Sequence, residues 1–248
     1  SAASDVYKRQ VDILDSELPE NSDLLLITAP AEAFDEEFVE NVRSFAENGG
    51  TVILCGQSDM GDLNLHMEFS GKAKQYQRAL DLEEALATVR FTADDVTYVR
   101  EMFVSVPDRV LVIHIAASKP GMISLRASLD GRDDYYDDNR PCIDYENMIL
   151  YTGGTGSRDG IFFAAALTGT AEGGSIRTVG GSLVIANANE ATLLLSVGTS
   201  FYHGESYEDA AKMDASYAAD CSYEELLYRH LSDYQEKFRR VRFLSLIH

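Results

Sequence analysis

Leu63-Asn-Leu-His-Met-Glu-Phe69 sets Leu63, Leu65, Met67 and Phe69 on alternate positions, with Asn64, His66 and Glu68 between them. A period of two puts the apolar side chains on one face of an extended chain and the polar ones on the other, as in a half-buried strand. The pattern recurs at 86–92, 97–104, 110–116, 123–129, 149–152, 161–168, 175–179, 182–186 and 192–197. Turn signals divide these runs: Ala93-Asp-Asp95, Val106-Pro-Asp108, Lys119-Pro-Gly121, Gly173-Gly174 and Gly180-Gly181. Ten short strands with no helical pattern among them predict a mainly β fold, a two-sheet antiparallel β-sandwich.

Upstream of Gly61 the period is different. Asp23-Leu-Leu-Leu-Ile-Thr28 and Thr51-Val-Ile-Leu-Cys55 are continuous apolar runs of strand length, which suggests parallel strands buried on both faces. Between them Phe34, Phe38, Val42 and Phe45 recur at helical spacing, with Asp35, Glu36 and Glu37 in the first turn and Asn48-Gly-Gly50 as the stop. The reading is one βαβ unit, too small to bury both faces of its strands. Gly56-Gln-Ser-Asp-Met60 has Met60 where a nucleophile elbow requires Gly, so it reads as a polar loop.

The whole chain of 248 residues carries a formal charge of −20, which repels nucleic acid. Cys55, Cys142 and Cys221 lie far apart, without C-x-x-C spacing or an even-numbered framework. No segment reaches the ~18 apolar residues of a membrane span. Ser1–Gln10 and the tail after Arg240 fit no neighbouring element and resemble translated sequencing adapter. The expected organisation is therefore a foreign tail over 1–10, an incomplete α/β unit over 11–60, the sandwich over 61–201, a helical linker over 202–240 and a second foreign tail over 241–248.

Local motifs promise little chemistry. Asp133-Asp-Tyr-Tyr-Asp-Asp138 lacks the Gly and terminal Glu of a calcium loop and reads as a solvated connection, with Tyr135 and Tyr136 as candidate glycan contacts. Gly153-Gly-Thr-Gly156 has Asp159 in place of the third Gly of a phosphate cradle, so it reads as a hairpin turn. His66, His114, His203 and His230 share no ligand spacing, so neither a metal nor a cofactor is expected. Arg100 and Glu101, adjacent on a strand, point to opposite faces and form no acid–base pair. His230 and Asp233 sit one turn apart on a predicted helix and share a face.

A longer pattern joins these pieces. Gly61-Asp-Leu63, Tyr76-Gln-Arg-Ala-Leu-Asp-Leu82, Val96-Thr-Tyr-Val-Arg-Glu-Met-Phe-Val-Ser105, Asn187-Ala-Asn-Glu-Ala-Thr192, Thr199-Ser-Phe201 and the helix from Tyr228 through His230, Asp233 and Tyr234 to Val241 run in order over some 180 residues. This pattern resembles the amino-terminal domain of glycoside hydrolase family 95, which contains α-L-fucosidases. The resemblance implies a supersandwich leading through a linker helix into an (α/α)₆ barrel, with inverting catalysis in that barrel and a glycan as substrate. It places the catalytic groups after position 241, so no catalytic residue is carried over and the chain is expected to be inactive alone. It also implies that His230, Asp233 and Tyr234 serve the barrel interface. Members of that family are often exported by bacteria. Residues 11–60 resemble part of a flavodoxin-like or amidotransferase-like domain instead. Two further readings stay open on the residues alone: a free-standing carbohydrate-binding module, and a chimeric assembly joined near Ser58–Asp62.

Overall fold

The computed structural model describes residues 24–28, 51–55, 61–67, 69, 72–131, 142–154 and 160–240. They fall into two compact units, Ser1–Asp59 and Met60–His248. In the first unit, β1 (Leu24–Thr28) and β2 (Thr51–Cys55) pair in parallel, from Leu24 opposite Thr51 to Thr28 opposite Cys55. The helix expected over Phe34–Phe45 and the Gly56–Met60 loop lie outside the described residues.

The second unit carries every strand predicted from the period of two, and two more. The larger sheet runs in the order β4 (Lys74–Asp81), β5 (Leu86–Ala93), β6 (Val96–Ser105), β7 (Val110–Ala117), β14 (Glu190–Thr199), β11 (Phe162–Glu172), β10 (Met148–Gly154) and β9 (Ile143–Tyr145). The smaller runs β12 (Ser175–Thr178), β13 (Ser182–Ala188), β8 (Ile123–Asp130) and β3 (Asp62–Met67). All pairings in this unit are antiparallel. The unpredicted strands are the two edges of the larger sheet. β4 is exposed along its whole length and β9 spans three residues, so neither shows the one-sided burial that makes a strand legible.

Parity sorts the larger sheet into two faces. Val89, Phe91, Tyr98, Ile113, Ile115, Leu167 and Leu193 point toward the smaller sheet and pack with Ile123, Leu125, Leu183 and Ile185 from it. The alternate residues Leu86, Phe103, Val110, Val112 and Leu194 point the other way, into a second core. That second core needs a cover. It is supplied by the end of α2 (Tyr207–Ala219) and by α3 (Tyr223–Phe238), which follow α1 (Ser200–His203) and a 3₁₀ turn (Gly204–Ser206). Within the helical linker expected over 202–240, the helix expected from Tyr228 begins earlier, at Tyr223, and ends at Phe238.

Small residues set how closely the helical layer approaches. Ala211 and Ala215 of α2 lie on Ala164 and Ala166 of β11. Gly198 of β14 faces the start of α2 so tightly that a Cβ there would stand 2.1 Å from the Tyr207 carbonyl oxygen. The α3 helix opens on a capping box: Ser222 Oγ accepts from the Glu225 N–H, and the Glu225 carboxylate accepts from the Ser222 N–H. The result is three layers: small sheet, large sheet, helices.

Candidate functional site

The polar chemistry of the second unit gathers where the helices meet the larger sheet. Two strand-connecting turns grip them. In the β6–β7 turn, the buried Asp108 carboxylate accepts from Ser105 Oγ at 2.5 Å and from an Arg229 guanidinium nitrogen of α3 at 2.7 Å. The next residue, Arg109, forms a forked pair with Asp214 of α2 at 2.7 and 2.5 Å. Neighbouring residues of opposite sign therefore hold one helix each. The hydrogen bond to Asp214 raises the Arg109 pKa, and the one to Asp108 raises that of Arg229.

The β4–β5 turn holds the far half of α3. His230 Nε2 lies 2.8 Å from the Glu84 carbonyl oxygen, Tyr234 Oη donates to the Leu82 carbonyl at 2.9 Å, and Arg239 meets Glu83 at 3.1 Å. His230 is buried, its ring stacked on Phe103 at 4.7 Å and on Tyr234 at 5.8 Å. Asp233 does not turn to His230 but pairs with Lys237 one turn on, at 2.6 Å. His230 and Tyr234 thus bind the helix to its own sheet, and Asp233 stabilises the helix itself.

Around the buried His114 lies a partly buried aromatic and acidic cluster. Tyr223 Oη donates to Glu101 at 2.8 Å, and its ring stacks on His114 at 3.9 Å. His114 Nδ1 lies 3.0 Å from Thr192 Oγ1, and its Nε2 is 3.8 Å from the Glu190 carboxylate. Burial lowers the His114 pKa against the opposing pull of Glu190, Glu101 and Glu224, so the ring is neutral at pH 7. Burial first, then the Glu101 hydrogen bond, raises the Tyr223 pKa well above the usual phenol range. Glu101 faces the helices, whereas Arg100 lies beside Val89 and Ile115, whose side chains belong to the core between the sheets, as strand alternation requires.

This arrangement fastens the helices to the sheet. Glu101, His114 and Tyr223 are stacked and bonded to one another, and the Cys142 thiol is pushed up by burial. Among the described residues no group of three or more His, Cys, Asp or Glu could hold a metal ion. A pocket between the sheets, lined by Gly61, Asp62, Leu129, Asp130, Tyr151 and Leu195, encloses about 70 Å³. Ligand clefts begin near ~300 Å³. Tyr135 and Tyr136 lie outside the described residues. The clamp leaves little trace in the sequence, where Asp108 is legible only as a turn residue. A signal was available in Ser222-x-x-Glu225, the capping box that fixes where α3 begins.

The outer side of the helical layer differs from its inner side. Phe201, Tyr202, Met213, Tyr217 and Tyr228 are all exposed by more than half.

Residues 32–204 match the family described as "Glycosyl hydrolase family 65, N-terminal domain", a range that begins inside the first compact unit. Among curated proteins, alpha-L-fucosidase 2 of Arabidopsis thaliana is 32% identical over 240 residues, covering 80% of this chain and 28% of that protein. Among solved structures, a human-microbiome protein assigned as a kojibiose phosphorylase superposes with a TM-score of 0.56 at 15% identity, covering 73% of this chain and 29% of that one. The chain therefore spans under a third of the length of either.

Proposed function

The chain belongs to the glycosyl hydrolase family 65 N-terminal domain family, and from that premise we propose that it supplies the non-catalytic β-sandwich of a longer α-L-fucosidase-like glycosidase. The observation that carries this reading is the two-sided helical layer. Its inner side is consumed by Asp108, Arg109, Glu101 and the β4–β5 turn, while its outer side presents Met213, Tyr217 and Tyr228 to solvent. Large apolar and aromatic side chains left exposed on one side of a helical layer suit a protein interface better than water. In this proposal the partner is the catalytic (α/α)₆ barrel of the same longer protein, and the substrate of the whole is a fucosylated glycan. His230, Tyr234 and Asp233 act on that interface indirectly, by fixing α3 in place.

The purified chain should not hydrolyse an aryl α-L-fucoside. It should co-purify with the separately expressed catalytic region of the Arabidopsis relative, and Tyr217→Glu with Tyr228→Glu should abolish that association while leaving the melting temperature of the chain within a few degrees. Turnover that scales with purified chain, or association indifferent to both substitutions, would overturn the proposal.

A further inference from the structure

The outer face of the smaller sheet has a composition unlike the rest of this acidic chain. Leu125 and Ala127 point into the core, so Arg126 points out; Leu65 and Met67 pack inward, so His66 points out; Ile176 packs inward, so Arg177 points out. Strand register sets these in one row: Arg177 is opposite Val184, Val184 opposite Arg126, and Arg126 opposite His66. With neighbouring strands ~4.8 Å apart, the two arginines stand about 10 Å from each other across Val184.

Among the described residues the row carries no counter-charge. Arg126, Arg177 and His66 are exposed, and none makes a hydrogen bond or ion pair among the described residues. Yet acidic residues outnumber basic ones 41 to 21, and on the helical side Arg109, Arg229, Arg239 and Lys237 each hold a carboxylate. Among the described residues, the adjoining row on one side is Asn64, Ser128 and Ser182, neutral hydrogen-bonding groups, with Asp62 opposite Asp130 beyond it.

From this placement we infer that the outer face of the smaller sheet binds an acidic polysaccharide, a polyuronate chain lying across strands β12, β13, β8 and β3. Arg177 and Arg126 pair with carboxylates of the chain, Val184 lies under a sugar ring between them, and Asn64 and Ser128 meet sugar hydroxyls. The sparse charge and many hydroxyls of a polyuronate fit a row of two guanidinium groups beside amide and hydroxyl side chains. A nucleic acid or another dense polyanion is disfavoured by the net charge of −20. The inference rests on the carbohydrate-active reading only for its choice of polymer, and the site lies on the opposite sheet from the helical layer.

Affinity electrophoresis of the full chain in gels containing polygalacturonate tests it, with dextran and heparin gels alongside. Retardation is expected in polygalacturonate alone, fading at high salt. Arg126→Glu and Arg177→Glu should each weaken it by about tenfold, the scale of one charge-assisted contact, while Arg78→Glu on the exposed β4 edge should leave it unchanged. No retardation, equal retardation of the Arg126→Glu protein, or equal binding to heparin or dextran would each overturn the inference. Helix-layer association is measured separately, so the two readings fail independently.

Discussion

Replacing Arg229 by Leu removes the guanidinium that neutralises Asp108. The Asp108 side chain is only 4% exposed and would keep Ser105 as its one hydrogen-bond donor, whereas the Arg229 side chain is 35% exposed. Breaking a fully buried ion pair costs about 3–5 kcal/mol, because one charge is stranded in a poor solvent. Here water can follow the departing arginine from its exposed side, so the expected loss is about 2–3 kcal/mol. For a unit of this size that is a fall of roughly 4–12 °C in melting temperature, read by far-UV circular dichroism. Asp108→Asn alone should cost a similar amount, by weakening its hold on Arg229. Combined, the two changes leave no stranded charge, so their costs should fall short of additive by at least about 1 kcal/mol in urea unfolding. A loss below about 0.5 kcal/mol for Arg229→Leu, or strictly additive costs, would refute the clamp as a coupled charge pair.

Gly198→Ala should destabilise the chain by about 1–3 kcal/mol in the same assay, since the new methyl meets the Tyr207 carbonyl and α2 must lift from β14; wild-type stability would show that the two do not touch. Tyr223→Phe strands a Glu101 acceptor and should cost about 1–2 kcal/mol at pH 7. It should also change the alkaline limb. The folded-state Tyr223 pKa is raised, so its contribution is complete below the unfolded phenol value near 10 and is lost as pH rises beyond it. Urea midpoints between pH 9 and 11 should therefore fall less steeply in Tyr223→Phe than in the wild type, and parallel slopes would refute the assignment.

How legible the fold was depended on one-sided burial. Strands with one face in the core, such as β3 and β8, announce themselves by alternation. Lys74–Asp81 does not, since both its faces meet solvent and a register shift interrupts its pairing between Lys74 and Gln77. The helical segment was visible, but its division at Asp220–Ser222 was not. The fastening residues were harder still. His230 and Asp233 invite pairing by spacing, but His230 finds the Glu84 carbonyl 146 positions away, and a backbone acceptor leaves no trace in side-chain pattern. Likewise Asp108 and Arg109 read as an ordinary turn until strand order brings both helices over it.

The long reach of those fastenings puts a clock on synthesis. Tyr234 is made 152 residues after Leu82, and Asp214 is made 105 after Arg109. At ~5–20 residues per second, roughly 8–30 s separate the β4–β5 turn from its helical partner. During that interval Leu86, Phe103, Val110 and Val112 form a sticky apolar surface with no cover. A nascent chain stalled before Tyr207 would be a substrate for chaperones, and codon speed between β7 and α2 should govern its soluble yield.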